Sequence, residues 1–218
     1  MKKLIYLILI TFFLASLFVY KAEIDIYSSR LFFSESANTF FLQKNIFLAI
    51  IANSAFLFAF LVLSYSGIVI LKKFFKTRSY SIKLYKKEIF VIAVFLLGSM
   101  LLVQGIIKPY FGRARPYQIQ QFGGELEFTR AFEVSNQCKS DCSFVSFHTS
   151  LGMVLVAYAM QLTRGRRRFV ILSTCSTMLF MATRIAQGKH FLSDVIFSAC
   201  FMTIVMSILL MTLKPNQD

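Results

Sequence analysis

Residues 46–71, "IFLAIIANSAFLFAFLVLSYSGIVIL", form one long apolar run that contains no charged residue. An α-helix needs about 20 mostly apolar residues to cross a hydrocarbon core that is about 30 Å thick. This run is longer than that, and it has no charged face that a helix of a soluble protein would turn toward water. The run therefore predicts a transmembrane helix, and it decides the fold class.

Similar apolar runs recur at residues 4–20, 89–107, 144–163, 169–186 and 194–213. With 57% hydrophobic residues and 26 phenylalanines, the chain is too apolar for an ordinary soluble domain. We therefore predict an all-α integral membrane protein with six transmembrane helices, in a single domain over residues 1–218. A cleavable signal peptide is the alternative for the first run, but no small-residue cleavage site follows it.

The formal net charge of +14 would by itself suggest a nucleic-acid partner. Its distribution argues otherwise, because the basic residues gather at the N-terminus, in residues 72–88 and 164–168, and at Lys214. The intervening loops are close to neutral, which is the positive-inside pattern and predicts that both termini are cytoplasmic. Among the outer loops, residues 21–45 mix apolar and charged residues, so they predict either an interfacial helix or a plain connection. We expect no nucleic-acid partner, and the oligomeric state is left open.

Cys138 and Cys142 lie in the long outer loop, residues 108–143, with a C-x3-C spacing. Disulfides persist on the outer face of a membrane, so this location favours a bridge between the two. Two free thiols and a metal site are the alternatives, although one nearby histidine and no second cysteine pair make a weak zinc pattern.

The two histidines of the chain, His148 and His190, both fall at the outer ends of predicted helices. Asp194 follows His190 by four residues, one helical turn, where a carboxylate can accept a proton from the imidazole. In "KPYFGRARP", residues 108–116, several cations adjoin an apolar surface, and arginine matches phosphate oxygens in bidentate fashion. Arg113 within this stretch fits a phosphate contact and a helix-end anchor equally well.

Three blocks in this order, K-x6-R-P at 108–116, S-F-H at 146–148 and R-x5-H-x3-D at 184–194, resemble the signature of the type-2 phosphatidic-acid phosphatase superfamily. The resemblance covers the chain from about residue 89 onward. Val145 and Phe147 stand where the family has proline and glycine, and a glycine would let backbone N–H groups approach phosphate more freely.

The resemblance implies a role for each residue of the signature. His190 would be the nucleophile, Asp194 would hold its imidazole in the attacking tautomer, and His148 would act as general acid and then as general base. The implied phosphate-binding residues are Lys108, Arg115, Ser146, Phe147 and Arg184. No metal and no cofactor are implied.

The implied substrate is a phosphorylated membrane lipid. The loop "RARPYQIQQFGGELEF…QCKSDCSFVS" resembles that of bacterial lipid A phosphatases, which act on the periplasmic face of the inner membrane. The expected reaction is hydrolysis of the 1- or 4′-phosphate of lipid A through a phosphohistidine. Undecaprenyl diphosphate and phosphatidylglycerophosphate are alternative substrates, and a lipid-phosphate-binding protein with weak catalysis is an alternative function.

Overall fold

The computed structural model describes residues 2–79 and 81–215, most of which are helical. Positions 1 and 216–218, the predicted cytoplasmic ends, lie outside the described residues. In chain order the elements are α1 (Lys2–Tyr20), α2 (Glu23–Arg30), β1 (Phe33–Ser34), β2 (Thr39–Phe40), α3 (Ile46–Thr77), α4 (Lys86–Ala93), α5 (Lys108–Phe111), α6 (Phe147–Ala159), α7 (Arg166–Ala186) and α8 (Leu192–Leu213). A π-helical segment, Val94–Ile107, joins α4 to α5, and 3-10 turns cover Ile82–Tyr85, Pro116–Gln118 and Gln120–Phe122.

Within the described residues, five helical stretches are long and apolar enough to cross a membrane: α1, α3, Ile82–Gln118, α7 and α8. A multi-pass membrane protein is thereby confirmed. The fourth predicted span, 144–163, contains α6, which has only 13 residues. At 1.5 Å per residue this helix is about 20 Å long, which is less than the roughly 30 Å of a bilayer core. The fourth predicted span is therefore a helix in the expected place, but a short one.

The short helix α6 lies inside the bundle, where it contacts α3, α7, α8 and the π-helical segment. Gly152 allows α7 to approach closely, because a Cβ atom at this position would lie 2.6 Å from Oγ1 of Thr177. Leu151 packs with the buried Ala55 of α3 and Phe180 of α7. Small residues on the facing helices thus let the bundle close around α6.

A cluster of phenylalanines ties the long outer loop to α8. The ring centroid of Phe132 lies 4.7 Å from that of Phe197 on α8 and 5.0 Å from that of Phe144. Phe18 of α1 adds an edge contact to Phe197 at 5.8 Å. Because these rings are largely buried, the segment that precedes α6 is held directly beside the start of α8.

Residues 21–45 fold into a short helix followed by a two-stranded hairpin. The two interpretations of this segment, an interfacial helix and a plain connection, each describe only part of it. In the hairpin Phe33 pairs with Phe40 in antiparallel register. Phe40 is buried against Phe122, with ring centroids 5.2 Å apart. It also covers Gly188, whose φ of +65° and tight contact with the Phe40 ring both suit glycine. The segment therefore forms a cap over the loops that precede α6 and α8.

Candidate active site

The loops before α6 and α8 are joined by backbone hydrogen bonds, which brings the second and third sequence blocks together. The Ser146 N–H donates to the carbonyl of Asp194 at 3.1 Å. In return, the Ser198 hydroxyl donates to the carbonyl of Ser146 at 2.7 Å. The N-terminal ends of the two helices are thereby fixed next to each other, as the three-block arrangement requires.

His190 is buried and its tautomer is set by a backbone group. Its Nδ1 lies 2.8 Å from the carbonyl oxygen of Ser143. A carbonyl can only accept, so Nδ1 carries the proton and Nε2 keeps its lone pair. The Asp194 carboxylate is 3.6 Å from Nδ1, which is too long for a hydrogen bond. The predicted partner of the imidazole was Asp194, whereas the structure puts Ser143 in that place.

The surroundings of His190 favour its neutral form. Burial lowers the pKa of His190 well below its ordinary value, and the positive charges of Arg115, Lys108 and Arg184 lower it further. The three cations assigned to phosphate binding therefore lie near this imidazole. At neutral pH the ring is unprotonated at Nε2, as a nucleophile must be.

Asp194 acts on His190 indirectly. Its Oδ2 accepts from the Ser143 hydroxyl at 2.5 Å and from the Phe191 N–H at 2.7 Å. Its Oδ1 accepts from Nη1 of Arg113 at 2.7 Å. The carboxylate thus holds Ser143, whose carbonyl accepts the hydrogen bond from the imidazole Nδ1–H.

His148 is half-buried at the first turn of α6, and its Nε2 is enclosed. No described residue offers that nitrogen a hydrogen bond. The ring stands edge-on to Phe56, with centroids 5.0 Å apart. Since enclosed polar groups are nearly always paired in folded proteins, an unpaired ring nitrogen held by an aromatic neighbour is available to a bound molecule.

The predicted cations are anchored by the outer loops. Lys108 is 3% exposed, and its Nζ donates to the carbonyl of Cys142 at 2.8 Å. Arg115 is 5% exposed and donates from Nε and Nη2 to the carbonyl of Asp141, at 3.0 and 2.8 Å. Arg184 donates to Gln187 at 3.0 Å, while its Nε has no partner among the described residues. Each cation therefore keeps donor capacity for an anion.

An unpredicted residue, Asp141, contacts two of these cations through its carboxylate. Oδ2 lies 2.6 Å from Nη2 of Arg115, and Oδ1 lies 3.6 Å from Nζ of Lys108. The Asp141 side chain is 76% exposed, whereas its two partners are nearly buried. Asp141 belongs to the loop between Cys138 and Cys142, whose sulfurs are bonded in the structure. Oxidation of this pair in the cell stays a prediction.

An apolar cavity of about 530 Å³ adjoins the polar groups, between α3, the π-helical segment and α6. Phe56, Phe95 and Phe147 lie on its wall. Gln104 lines this cavity and also a smaller one, of about 160 Å³, that Lys108 and Asp141 border. An amphipathic molecule could therefore place its apolar part in the first cavity and its anionic part beside the cations.

The PAP2 superfamily profile matches residues 89–218, which is more than half of the chain. The chain belongs to the PAP2 superfamily. The family predicted from the three sequence blocks is thus confirmed, and the residues of all three blocks lie within the matched part.

Relatives of this PAP2 chain include three bacterial proteins. A lipid A 4′-phosphatase of Francisella tularensis subsp. novicida is 37% identical over 123 residues, 55% of this chain and 55% of that protein. Lipid A 4′-phosphatases of Rhizobium leguminosarum and Rhizobium etli are each 32% identical over 123 residues, 56% of this chain and 53% and 48% of theirs. The chain spans about half the length of the curated relatives it matches. No solved structure matches it.

Two residues of this PAP2 chain that were predicted to bind phosphate, Ser146 and Phe147, make contacts of another kind within the protein. Ser146 caps α6, accepting from the Thr149 N–H at 3.4 Å. Phe147 was predicted among the phosphate-binding residues, and its ring turns toward Phe56 with centroids 5.8 Å apart, on the wall of the apolar cavity. Only the backbone of Phe147 can thus belong to a phosphate cradle, and its ring faces the space for an apolar chain.

Sequence reasoning missed several residues of this PAP2 site. Arg113 is neither a phosphate contact nor a membrane anchor, because it forms buried ion pairs with Asp25 and Asp194.

A second residue that sequence reasoning missed is Lys189, whose Nζ lies 4.4 Å from the centroid of the Tyr117 ring. Burial, Arg115 and Arg184 lower the pKa of Lys189, which places a further cation near the site. The position of Lys189 directly before His190 was the one feature of the sequence that could have indicated that it belongs to the site.

Proposed function

We propose that this PAP2 chain is a phosphatase that hydrolyses a phosphomonoester of lipid A, with the 4′-phosphate as the preferred group. The observation that carries the proposal is the buried imidazole of His190, whose proton is held on Nδ1 and whose surroundings contain three cations. The choice of lipid rests on the similarity to proteins named lipid A 4′-phosphatase.

In the first step, Nε2 of His190 attacks phosphorus and forms an N–P bond. The bond from phosphorus to the sugar oxygen breaks, and His148 donates a proton to that oxygen as it leaves. The positive charges of Lys108, Arg115 and Arg184 stabilise the negative charge on the phosphoryl oxygens in the transition state. The products are a dephosphorylated lipid and a phosphohistidine.

In the second step, the now neutral His148 takes a proton from water. The resulting hydroxide attacks phosphorus, the N–P bond breaks, and inorganic phosphate leaves. This restores protonated His148 and neutral His190. No step calls for a metal, and the described residues hold no group of three or more His, Cys, Asp and Glu side chains suited to one.

The apolar cavity supports a lipid substrate. Phe147 and Phe56 separate the proposed general acid from a space large enough for part of an acyl chain. In this arrangement part of an acyl chain lies in the apolar cavity while the phosphate reaches the cations, where it replaces the Asp141 carboxylate. Undecaprenyl diphosphate and phosphatidylglycerophosphate offer similar chemistry and are alternative substrates.

The proposed orientation puts both termini in the cytoplasm and the site on the periplasmic face of the inner membrane. The basic loops at 72–88 and 164–168 support it, because cytoplasmic loops are rich in lysine and arginine. Six crossings are needed, with α6 as the fourth. Its shortness is compatible with this role because neighbouring protein, and not lipid, surrounds much of it.

The proposal is tested by measuring phosphate release from lipid A, undecaprenyl diphosphate and phosphatidylglycerophosphate with purified protein in EDTA. We expect release from lipid A, loss of its 4′-phosphate by mass spectrometry, and no effect of EDTA. Release from another substrate alone would contradict the lipid assignment. Binding of lipid A without release would instead support a binding protein with the same phosphate contacts.

Replacing Asp141 by asparagine is expected to strengthen inhibition by inorganic phosphate. The carboxylate competes with phosphate for Arg115 and Lys108, and because the Asp141 side of the pair is 76% exposed, solvent screens the interaction to about 1 kcal/mol. The inhibition constant should therefore fall by roughly fivefold. Glu125→Gln is the matched control, since Glu125 is an exposed carboxylate of the same loop. Equal inhibition of both variants would show that Asp141 does not occupy the phosphate position.

A further inference from the structure

Arg113 connects two buried carboxylates that come from distant parts of the chain. Its Nη1 donates to Oδ1 of Asp194 at 2.7 Å, and its Nη2 donates to Oδ2 of Asp25 at 2.9 Å. All three side chains are at most 1% exposed. The guanidinium also lies 4.2 Å from the centroid of the Phe191 ring and donates from Nε to the carbonyl of Thr129 at 2.9 Å. The group is thus fixed on every side.

Asp25 also holds the start of α8. Its Oδ1 accepts from the Ser193 N–H at 2.8 Å, and its Oδ2 accepts from the Ser193 hydroxyl at 2.5 Å. That hydroxyl in turn lies 2.8 Å from Nη1 of Arg113. A negative group at a helix N-terminus is favourable, because the first backbone N–H groups have no partner within the helix. Asp25 therefore fixes the residue that immediately precedes Asp194.

A continuous chain of hydrogen bonds leads from Asp25 to the imidazole. Arg113 orients Asp194, which accepts from the Ser143 hydroxyl. The Ser143 N–H donates to the carbonyl of Arg113 at 2.9 Å, so Arg113 fixes Ser143 through both its side chain and its backbone. The carbonyl of Ser143 then accepts from Nδ1 of His190. Each link is buried and short.

We propose that Asp25 is a positioning residue of the active site, acting through Arg113, Ser193 and Asp194 on the carbonyl that orients His190. This rests on the proposed phosphatase function. Asp25 lies outside residues 89–218, the part that matches the PAP2 superfamily. The N-terminal segment that forms the cap is consequently part of the catalytic unit.

The energetics favour a positioning role over simple stabilisation. Taking two carboxylates and a guanidinium out of water is costly, and well-packed apolar side chains often stabilise a core as well or better. A fully hydrogen-bonded network instead holds its side chains in one defined conformation. Here that network ends at Nδ1 of His190, and it thereby sets the direction in which Nε2, the attacking nitrogen, points.

Asp25→Ala is expected to lower kcat for lipid A by about 100-fold, which is the scale for misplacing a reacting group by about 1 Å. The Michaelis constant should stay within about twofold, because the cations that hold phosphate and the apolar cavity are not part of this network. Ser29→Ala is the matched control. Ser29 lies on the same helix and is fully buried, but its hydroxyl has no partner among the described residues.

A double substitution separates positioning from a general loss of folded protein. If Asp25 acts through the bond between Asp194 and the Ser143 hydroxyl, Asp25→Ala should cause a smaller loss in a Ser143→Ala background than on its own, because that bond is already removed while the Ser143 carbonyl stays. Independent effects would multiply, and this outcome would overturn the proposal. If Asp25→Ala does not accumulate in membranes, Asp25→Asn serves for the same cycle. Asparagine keeps the volume but turns an N–H₂ group toward Ser193 or toward Arg113, both of which donate there.

The outcomes also distinguish this proposal from the proposed function. Failure of the unmodified protein to release phosphate from lipid A, undecaprenyl diphosphate and phosphatidylglycerophosphate alike would reject the phosphatase assignment itself. An active protein in which Asp25→Ala equals Ser29→Ala in kcat would reject the positioning role alone. A loss in kcat that is not additive with Ser143→Ala supports it.

Discussion

His190→Ala is expected to abolish phosphate release from lipid A, lowering kcat by on the order of 10⁴- to 10⁶-fold, the scale seen when a covalent nucleophile is deleted. The reason lies in its hydrogen bonding. Since the Ser143 carbonyl accepts a hydrogen bond from Nδ1–H, Nε2 is the nitrogen available for attack. No other described histidine is oriented by a backbone carbonyl in this way.

The measurement is the amount of covalent phosphate on the protein after a brief reaction with radiolabelled lipid A. The quench must be alkaline, because the N–P bond of phosphohistidine hydrolyses in acid. We expect label on the unmodified protein and none on His190→Ala or His190→Gln. Glu125→Gln should retain the label in full. Label on His190→Ala at the level of the unmodified protein would rule out His190 as the nucleophile.

The i, i+4 spacing of His190 and Asp194 predicted that they would be neighbours, and they are. It did not predict that the imidazole bonds to Ser143, because a backbone carbonyl has the same chemistry in every residue type. Only the fold decides which carbonyl faces the ring. Side-chain patterns can therefore identify reacting groups more readily than the groups that orient them.

The ion pair between Arg113 and Asp25 illustrates a second limit. The two residues are 88 positions apart, and Asp25 lies in a segment that the three motifs do not cover. An arginine near a predicted phosphate site was reasonably assigned either to phosphate or to the headgroups. Nothing in the local sequence indicated a buried carboxylate partner from another helix.

The apolar composition of the sequence predicted where the helices lie better than it predicted where each helix begins and ends. The run at 46–71 became α3, which extends as far as Thr77 because the lysines after the apolar run still suit a helix. The run at 144–163 contains only the 13 residues of α6. Apolar composition limits where a helix can be buried, but hydrogen bonding at its ends decides where it begins. For α6 that is Ser146, whose hydroxyl accepts from the Thr149 N–H.

His148→Ala is expected to lower kcat for lipid A by about 10²- to 10⁴-fold, the range for loss of a general acid or base. The sugar alcohol is a poor leaving group and needs the proton that His148 supplies. The enclosed Nε2, which has no partner among the described residues, and the edge contact with Phe56 support this role.

The loss should depend on the leaving group. With an aryl phosphate such as p-nitrophenyl phosphate, the departing oxygen needs little protonation, so His148→Ala should still be phosphorylated at His190. Water attack on the phosphohistidine then lacks its base, and covalent phosphate should accumulate in the variant above the level in the unmodified protein. His148→Gln keeps a polar side chain of similar size and should behave in the same way. If both substrates lost rate equally and no covalent phosphate accumulated, His148 would act in orienting the substrate and not in proton transfer. A smaller loss with the aryl phosphate, together with trapped phosphohistidine, would place the proton transfers of both steps on this one nitrogen.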